Sequence, residues 1–483
     1  MRLRNLSVLA GVALIAASAC TSTPAATSNP ATSNPATSIP ATSNPATSNP
    51  ATSNPATSNP TTAPITSTAP SQGAGKVITI GTELPMSGGE TANGVPTQNG
   101  VKLAIQDAMA QNMLPGWTLQ LNGQDDAVAG AHNAAQGGKN MTTLVQDQTV
   151  VGEVGPFNSG VAQVEIPIAN AAGLLMCSPA NTNTSLTYPP DALQYRTTNP
   201  DKVSYVRLAA PDSIQGPAGA DFVYNDLNAH SVYILDDTET FGVGVGDSFQ
   251  AEFVKDGGTV VKRDSAPSST TDYTALFQAV ASQKPAAVYL AGTTPTGMGL
   301  ALKQGRTVSG FETIPFMGPD GVADLGDGNT QGSTINIAGQ AAANVYGTVA
   351  GVHDIPDAAT FLTNYKAAFG TDPGAYSAIA YACAQVIIQG IQKAVAAGTT
   401  DYAGIREAVR ANATAAGNSF TTIIGAVSFD VNGDTTSPYM SFYKTDLTLN
   451  NNVGGWTWIK QQAFTDPNAN GNASPAPASP AGS

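Results

Sequence analysis

Val150-Val151-Gly152-Glu153-Val154, the loop Gly155-Pro156-Phe157-Asn158-Ser159-Gly160, a helical stretch from about Val161 to Ala172, and Leu174-Leu175-Met176-Cys177 decide the fold. A short apolar run, a glycine-bounded loop, apolar residues at helical spacing and a second apolar run make a β-α-β unit. Near-continuous apolar strands joined by helices imply a parallel sheet covered on both faces, with right-handed crossovers. The same alternation extends upstream. Val77-Ile78-Thr79-Ile80-Gly81 reads as a strand, and Val101, Ala104, Ile105, Ala108 and Met109 put a helix over Gly100 to Ala110. Leu119-Gln120-Leu121-Asn122 reads as strand and 131–147 as helix.

Downstream, a second series starts near Asp212. Ser231-Val232-Tyr233-Ile234-Leu235 is strand-like and ends at Asp236-Asp237; a helix over 243–256, Thr259-Val260-Val261, a helix near 273–283 and Ala287-Val288-Tyr289-Leu290 follow. The fold class is therefore α/β, with two lobes that are each a doubly wound parallel sheet. The stretch 76–464 is too long for one core, which agrees with two domains. Ligands of such sheets sit outside the carboxyl ends of the strands, so a cleft between the lobes is the expected site.

The flanks speak of export. Arg2 and Arg4 precede an apolar run from Leu6 to Ala19, too short to span a bilayer and flanked as in a signal peptide. Ala17-Ser18-Ala19-Cys20 resembles a bacterial lipobox, so 1–20 is read as a signal segment with Cys20 lipidated. Ala17 stands where Leu is usual, and plain cleavage is the alternative. No later segment offers a long uncharged apolar stretch. From Ala26 to Pro60 the pentapeptide Ala-Thr-Ser-Asn-Pro recurs, with Ile39 once in place of Asn. Proline at every fifth place blocks helix and sheet, so 21–75 reads as a disordered tether reaching about 170 Å if polyproline-like. The Asn-Pro pairs exclude N-glycosylation there, while the Ser/Thr/Pro mixture suits O-linked sugar. Residues 465–483 read as a disordered tail.

A net charge of −14 argues against nucleic acid or an anionic membrane surface as partner. Of the three cysteines, Cys177 and Cys383 remain after Cys20; in an oxidising compartment they form a bridge or stay as two buried thiols. Asp125-Asp126 lacks further ligands around it and reads as a solvated loop rather than a metal site. With only His132, His230 and His353, no Gly-x-Ser-x-Gly elbow and no zinc-spaced Cys/His pairs, no enzyme is indicated and neither cofactor nor metal is expected.

Ile80-Gly81 with Leu84-Pro85-Met86-Ser87-Gly88, Gln98-Asn99-Gly100 with Leu103-Ala104-Ile105, Gly155 to Gly160, Ser178-Pro179-Ala180-Asn181-Thr182, and Phe316-Met317-Gly318-Pro319-Asp320-Gly321 together resemble the periplasmic branched-chain amino-acid binding proteins. The resemblance spans 76–464, and it is the order of the motifs that makes it specific. It implies a three-segment hinge with crossings near 209, 349 and 438. Lobe I is then 76–209 with 350–438, and lobe II is 210–349 with 439–464. On this mapping Cys177 and Cys383 share lobe I. The resemblance further implies a monomer that delivers a small-molecule ligand to an ABC permease, from the outer face of the membrane if Cys20 is lipidated or as a soluble exported protein if not.

The chemistry of the motif positions fits a zwitterion. Ser159 opens a helix at the positive end of its dipole, which suits a carboxylate. Thr182 donates from hydroxyl and amide, and the Ala180 carbonyl suits an ammonium. Asp320, on the opposite lobe, pairs with that ammonium on closure. The resemblance adds Phe241 and Thr293. Phe241 replaces the family's tyrosine, Asp320 its usual glutamate, and Thr293 an aromatic residue, so the ligand's side chain stays open, with a small amide, polyol or sugar as alternatives. Each position also has a local reading: Ser159 as a helix cap, Asn181 and Thr182 as turn residues, Pro319-Asp320-Gly321 as a plain turn, Phe241 as core. An adhesin is the rival class that the tether would suit, and it predicts an exposed aromatic platform in place of an interlobe cleft.

Overall fold

The computed structural model describes residues 76–466. The signal segment, Cys20, the tether 21–75 and the tail from 467 onward lie outside the described residues. Five strands form the first sheet, in the order Trp117–Asp125, Lys76–Leu84, Val150–Val154, Met176–Ser178, Tyr205–Arg207. Every pairing in it is parallel. Val150–Val154 is buried along its whole length, as a strand covered on both faces must be. Helices Thr91–Ala110 and Ser377–Ala396 pack together over this sheet, and Ala134–Gln146 packs against Ser159–Ala172.

The second sheet has seven strands, in the order Gly455–Ala463, Tyr439–Asp446, Val345–Val349, Phe316–Gly318, Ala287–Ala291, Ser231–Asp236, Thr259–Ser265. The five strands that come first along the chain, between Ser231 and Val349, pair in parallel. Tyr439–Asp446 and Gly455–Ala463 add antiparallel at one edge, a departure from the all-parallel expectation. The short link 447–454 accounts for the second pairing, since a connection of that length joins antiparallel strands; Tyr439–Asp446 runs against Val345–Val349 because the chain leaves for the first lobe at Val349 and re-enters from it at Tyr439.

The chain leaves the first sheet after Arg207 and enters the helix Asp212–Asp221 of the second lobe. It returns after Val349 to the helices Ala358–Phe369, Ser377–Ala396 and Tyr402–Ala413, and passes back after a bridge between Arg207 and Asp434 into Tyr439–Asp446. Element ends differ from the sequence reading where caps intervene. The first helix begins at Thr91 rather than Gly100, with buried Asn93, Gln98 and Asn99 in its opening turns hiding the apolar period. The helix expected from 131 starts at Ala134, because Ala131-His132 pairs with Ala127-Val128 and Asn133 caps the helix through Gln136 N at 2.9 Å.

Three readings need correction. Asp126 is fully buried, so Asp125-Asp126 is no solvated loop; Asp125 accepts from the amides of Met86 and Ala127 at 2.8 and 2.9 Å. Ser377–Ala396 is long and apolar enough to cross a membrane, contrary to the sequence reading, but two thirds of its apolar window is buried inside the first lobe's core. Thr465 and Asp466 belong to the folded part: Phe464 N bonds to Pro438 O at 2.9 Å, and the buried Asp466 carboxylate accepts from the Tyr188 hydroxyl. Cys177, on the strand Met176–Ser178, and Cys383, on the helix Ser377–Ala396, are joined by a disulfide with their Cα atoms 5.6 Å apart.

Candidate functional site

The strand ends of the first sheet open into two loops that lock to each other. Ser178 Oγ donates to Pro156 O at 2.8 Å and accepts from Asn181 N at 2.9 Å. Asn181 Nδ2 donates to Phe157 O at 2.8 Å, and the Tyr205 hydroxyl donates to Asn181 Oδ1 at 3.0 Å. Gly155 adopts φ 149°, and a Cβ there would stand 2.3 Å from both Glu153 Oε1 and Glu83 O, so only glycine lets the loop leave the sheet this way. Beneath the second loop lies fully buried Arg207. It pairs with Asp434 and donates to Asn183 O at 2.8 Å and Thr187 Oγ1 at 2.7 Å.

Ser159 is the first residue of the helix Ser159–Ala172, nearly fully buried, and its Oγ accepts from Asn183 N at 3.3 Å. The amides of that helical turn lack intrahelical partners and carry the positive end of the dipole. Thr182 Oγ1 is buried beside the Asp212 carboxyl and, among the described residues, makes no close hydrogen bond. Thr182 O accepts from Asp212 N at 2.7 Å, which ties the loop to the first crossing.

On the second lobe, Asp237 accepts from the amides of Glu239 and Thr293 at 3.0 and 3.1 Å and from Thr296 Oγ1 at 2.6 Å. This fixes the start of the helix Thr240–Lys255, which carries Phe241, and the turn that carries Thr293. The Thr293 hydroxyl is taken up by Thr296 Oγ1 at 2.9 Å. Asp320 is nearly fully buried; its carboxylate accepts from Gln215 Nε2 at 2.9 Å and from the hydroxyl of Tyr376, which belongs to the other lobe. Gln215 is oriented by Thr348 Oγ1 at 3.0 Å and also donates to Asp212 Oδ1 at 3.2 Å. Burial pushes the Asp320 carboxyl up to about 6, against the pull of its two donors. Burial, with the nearby Asp320 charge, raises Asp212 to about 7.

Phe157, Asn158, Ser159, Ala180 and Thr182 from the first lobe and Phe241, Thr293, Asp320 and Gly321 from the second line one cavity, of which about 20 Å³ is open to the centre of a water molecule. All six positions singled out in the sequence, Ser159, Ala180, Thr182, Phe241, Thr293 and Asp320, are brought together there. A Cβ on Gly321 would meet Gly292 O at 2.5 Å and Phe241 Cε1 at 3.0 Å, so this glycine keeps the cavity open. The lobes also touch beside it: Asn183 Nδ2 donates to Thr240 O at 2.8 Å, and Thr240 Oγ1 to Gln163 Oε1 at 3.3 Å. Sequence reasoning missed Asn158, Gln215 and Tyr376. Asn158 stood inside the quoted loop, but the cap reading fell on its neighbour Ser159, and the other two lie far along the chain from the residue they hold. A larger groove, about 660 Å³ beside Arg406 and Glu407, is lined by none of these converging groups.

Residues 77–448 match the family model of the periplasmic binding proteins. The Leu/Ile/Val-binding protein BraC3 of Rhizobium johnstonii is 29% identical over 372 residues, covering 76% of this chain and 91% of the relative. The leucine-specific-binding protein of Salmonella typhimurium is 30% identical over 379 residues, covering 77% and 92%. Among solved structures, the leucine binding protein LivK of Thermotoga maritima superposes with a TM-score of 0.63 at 25% identity, over 81% of this chain and 99% of that one. LivJ of Streptococcus pneumoniae, in complex with isoleucine, does so with a TM-score of 0.64 at 22% identity, over 81% and 100%, and shares the fold. Two α/β lobes facing each other across a cavity at their strand ends, the family model over most of the chain and these relatives lead to one conclusion: the chain belongs to the periplasmic binding protein family.

Proposed function

We propose that this protein is the extracytoplasmic solute receptor of an ABC importer and captures an α-amino acid between its lobes. The observation that carries the reading is the polarity of the cavity. One wall offers the amino end of the helix Ser159–Ala172 and the hydroxyl of Thr182; the other offers the buried carboxylate of Asp320. Such walls complement a carboxylate and an ammonium on one small molecule. The ligand meets Ser159, Ala180 and Thr182 first. Closure about the segments near 209, 349 and 438 then adds Phe241, Thr293 and Asp320, so bound ligand shifts the population toward the closed form. The closed monomer docks on the permease. Export through the segment 1–20, anchoring by Cys20 and the tether 21–75 place it at the outer face of the membrane. The names of the relatives, which bind leucine, isoleucine or valine, support an amino acid as ligand class.

A thermal-shift panel of α-amino acids, small amides, polyols and sugars on the full chain tests this. A ligand at one hundred times its dissociation constant stabilises by about 2.7 kcal/mol. A rise with one or a few α-amino acids, lost in Ser159→Ala and Asp320→Asn, is expected. A rise with sugars or polyols alone overturns the ligand class, and no rise with any solute overturns the receptor reading.

A further inference from the structure

Asn158 sits at the cap position of the helix Ser159–Ala172 with the extended backbone of a cap, φ −97° and ψ 136°, yet its side chain makes no capping hydrogen bond. Asparagine is among the strongest helix caps, and Asn133 does cap its own helix in this chain. Asn158 is 6% exposed, it lines the ligand cavity, and its Oδ1 has no hydrogen-bond partner among the described residues. A buried, unpaired carboxamide oxygen is costly unless something in the cavity satisfies it. Ser159, Thr182 and Asp320 suffice for the carboxylate and ammonium, which leaves Asn158 for the rest of the ligand.

The size of the cavity bears on the same point. Adding the radius of a water to the open space gives an envelope on the order of 100 Å³, three to four waters' worth. Phe157 and Phe241 bound it, and Phe157 is braced edge-on by Tyr376 at 5.5 Å between ring centres.

Resting on the amino-acid reading above, we infer that Asn158 is a specificity-determining ligand contact and that the ligand is a small α-amino acid whose side chain carries a hydroxyl or amide donor. A branched aliphatic side chain leaves the Asn158 oxygen buried and unpaired. Sites built around a buried polar partner discriminate strongly against isosteres that lack it.

Titration calorimetry of the full chain with two near-isosteric pairs, threonine against valine and asparagine against leucine, tests the inference. The native protein is expected to bind the polar member of at least one pair about tenfold or more tightly. Asn158→Leu removes that preference without lowering the thermal midpoint, since no capping bond is lost; Asn158→Ala gives the same loss of preference should leucine crowd the cavity. Equal or tighter binding of valine and leucine by the native protein, or a preference that survives both variants, overturns the inference. Weakening of all amino-acid binding by about tenfold or more in Asp320→Asn upholds the zwitterion site whichever way Asn158 falls. Absence of binding by all four amino acids overturns the inference about Asn158, and the wider panel then judges the receptor reading separately.

Discussion

The hydroxyl of Tyr376, on the first lobe, donates to the carboxylate of Asp320, on the second. The residue proposed to hold the ligand's ammonium is thus already a bridge between lobes, and Gln215 and Thr348 fix its other oxygen from the hinge side. Closure and ligand charge recognition converge on one carboxylate.

Asp320→Asn keeps the shape but removes the charge and turns one of the two accepting oxygens into a donor. A charge-assisted hydrogen bond contributes about 1.5–3 kcal/mol, so amino-acid affinity falls by about tenfold to a hundredfold. Tyr376→Phe deletes the interlobe bond together with the one its hydroxyl accepts from Ala350 N at 3.3 Å, and is expected to weaken binding by about 1 kcal/mol, mainly through faster ligand release. Stopped-flow dissociation and calorimetry on the two variants check both values.

Affinity carries a pH dependence of known sign. With its carboxyl raised to about 6, Asp320 is ionised at neutral pH and loses its charge as the solution passes below that value. Ammonium binding needs the ionised form, so the dissociation constant rises about tenfold per pH unit below 6 and levels off once the neighbouring Asp212, raised to about 7, has also ionised. Calorimetry between pH 4.5 and 8 reads it; an affinity that improves on acidification contradicts the account.

Stability runs the other way. Glu83, Asp126, Glu153 and Glu165 are fully buried in the first lobe; Asn140 donates to Glu83 at 2.9 Å, Glu165 stands beside Glu83, and among the described residues no other side-chain donor reaches these carboxyls. Burial raises Glu83 to about 7 and Asp126 to about 9, and holds Glu153 and Glu165 well above the usual range. For His132 burial opposes the charge, but the bond and charge of Glu90 outweigh it and lift it to about 9. All these groups bind protons more tightly folded than unfolded. Their stabilisation is full below about pH 4 for the acids and lost as pH climbs toward 7–9, at about 1.4 kcal/mol per pH unit for each extra proton held. The thermal midpoint is therefore higher by several degrees at pH 5.5 than at pH 8.5.

The bond between Cys177 and Cys383 ties a strand from the first pass of the chain to a helix from its return, 206 residues later. Mass measurement of the non-reduced protein should show it two hydrogens lighter than the reduced form. Cys383→Ala costs about 2–4 kcal/mol of stability and leaves ligand affinity unchanged.

Strands and the outward face of the site were legible because they follow local rules. Val150–Val154 and Ala287–Ala291 are apolar runs buried on both faces, and Ser159 and Thr182 stand directly after strand ends. Period and position in the loop sufficed for both. What escaped depended on partners distant in sequence. Nothing near Tyr376 or Gln215 says that they meet Asp320, 56 and 105 residues away. Asp126 looked solvated because its local sequence is a polar loop, while its burial is set by the hairpin 127–132 and Glu90 around it. Asn158 was hidden in the opposite way: its neighbour Ser159 took the local reading as a cap, and only the missing capping bond at Asn158 drew attention to its side chain.

The central claim is that the cavity clamps both charges of an α-amino acid. Isothermal titration of the full chain with a pool of the twenty L-α-amino acids, set beside a pool of their N-acetyl derivatives, tests it directly. Saturable heat with the free amino acids and none with the acetylated pool is the predicted result, because acetylation removes the ammonium that Asp320 pairs with. Equal heats from both pools, or heat from the acetylated pool alone, would contradict it.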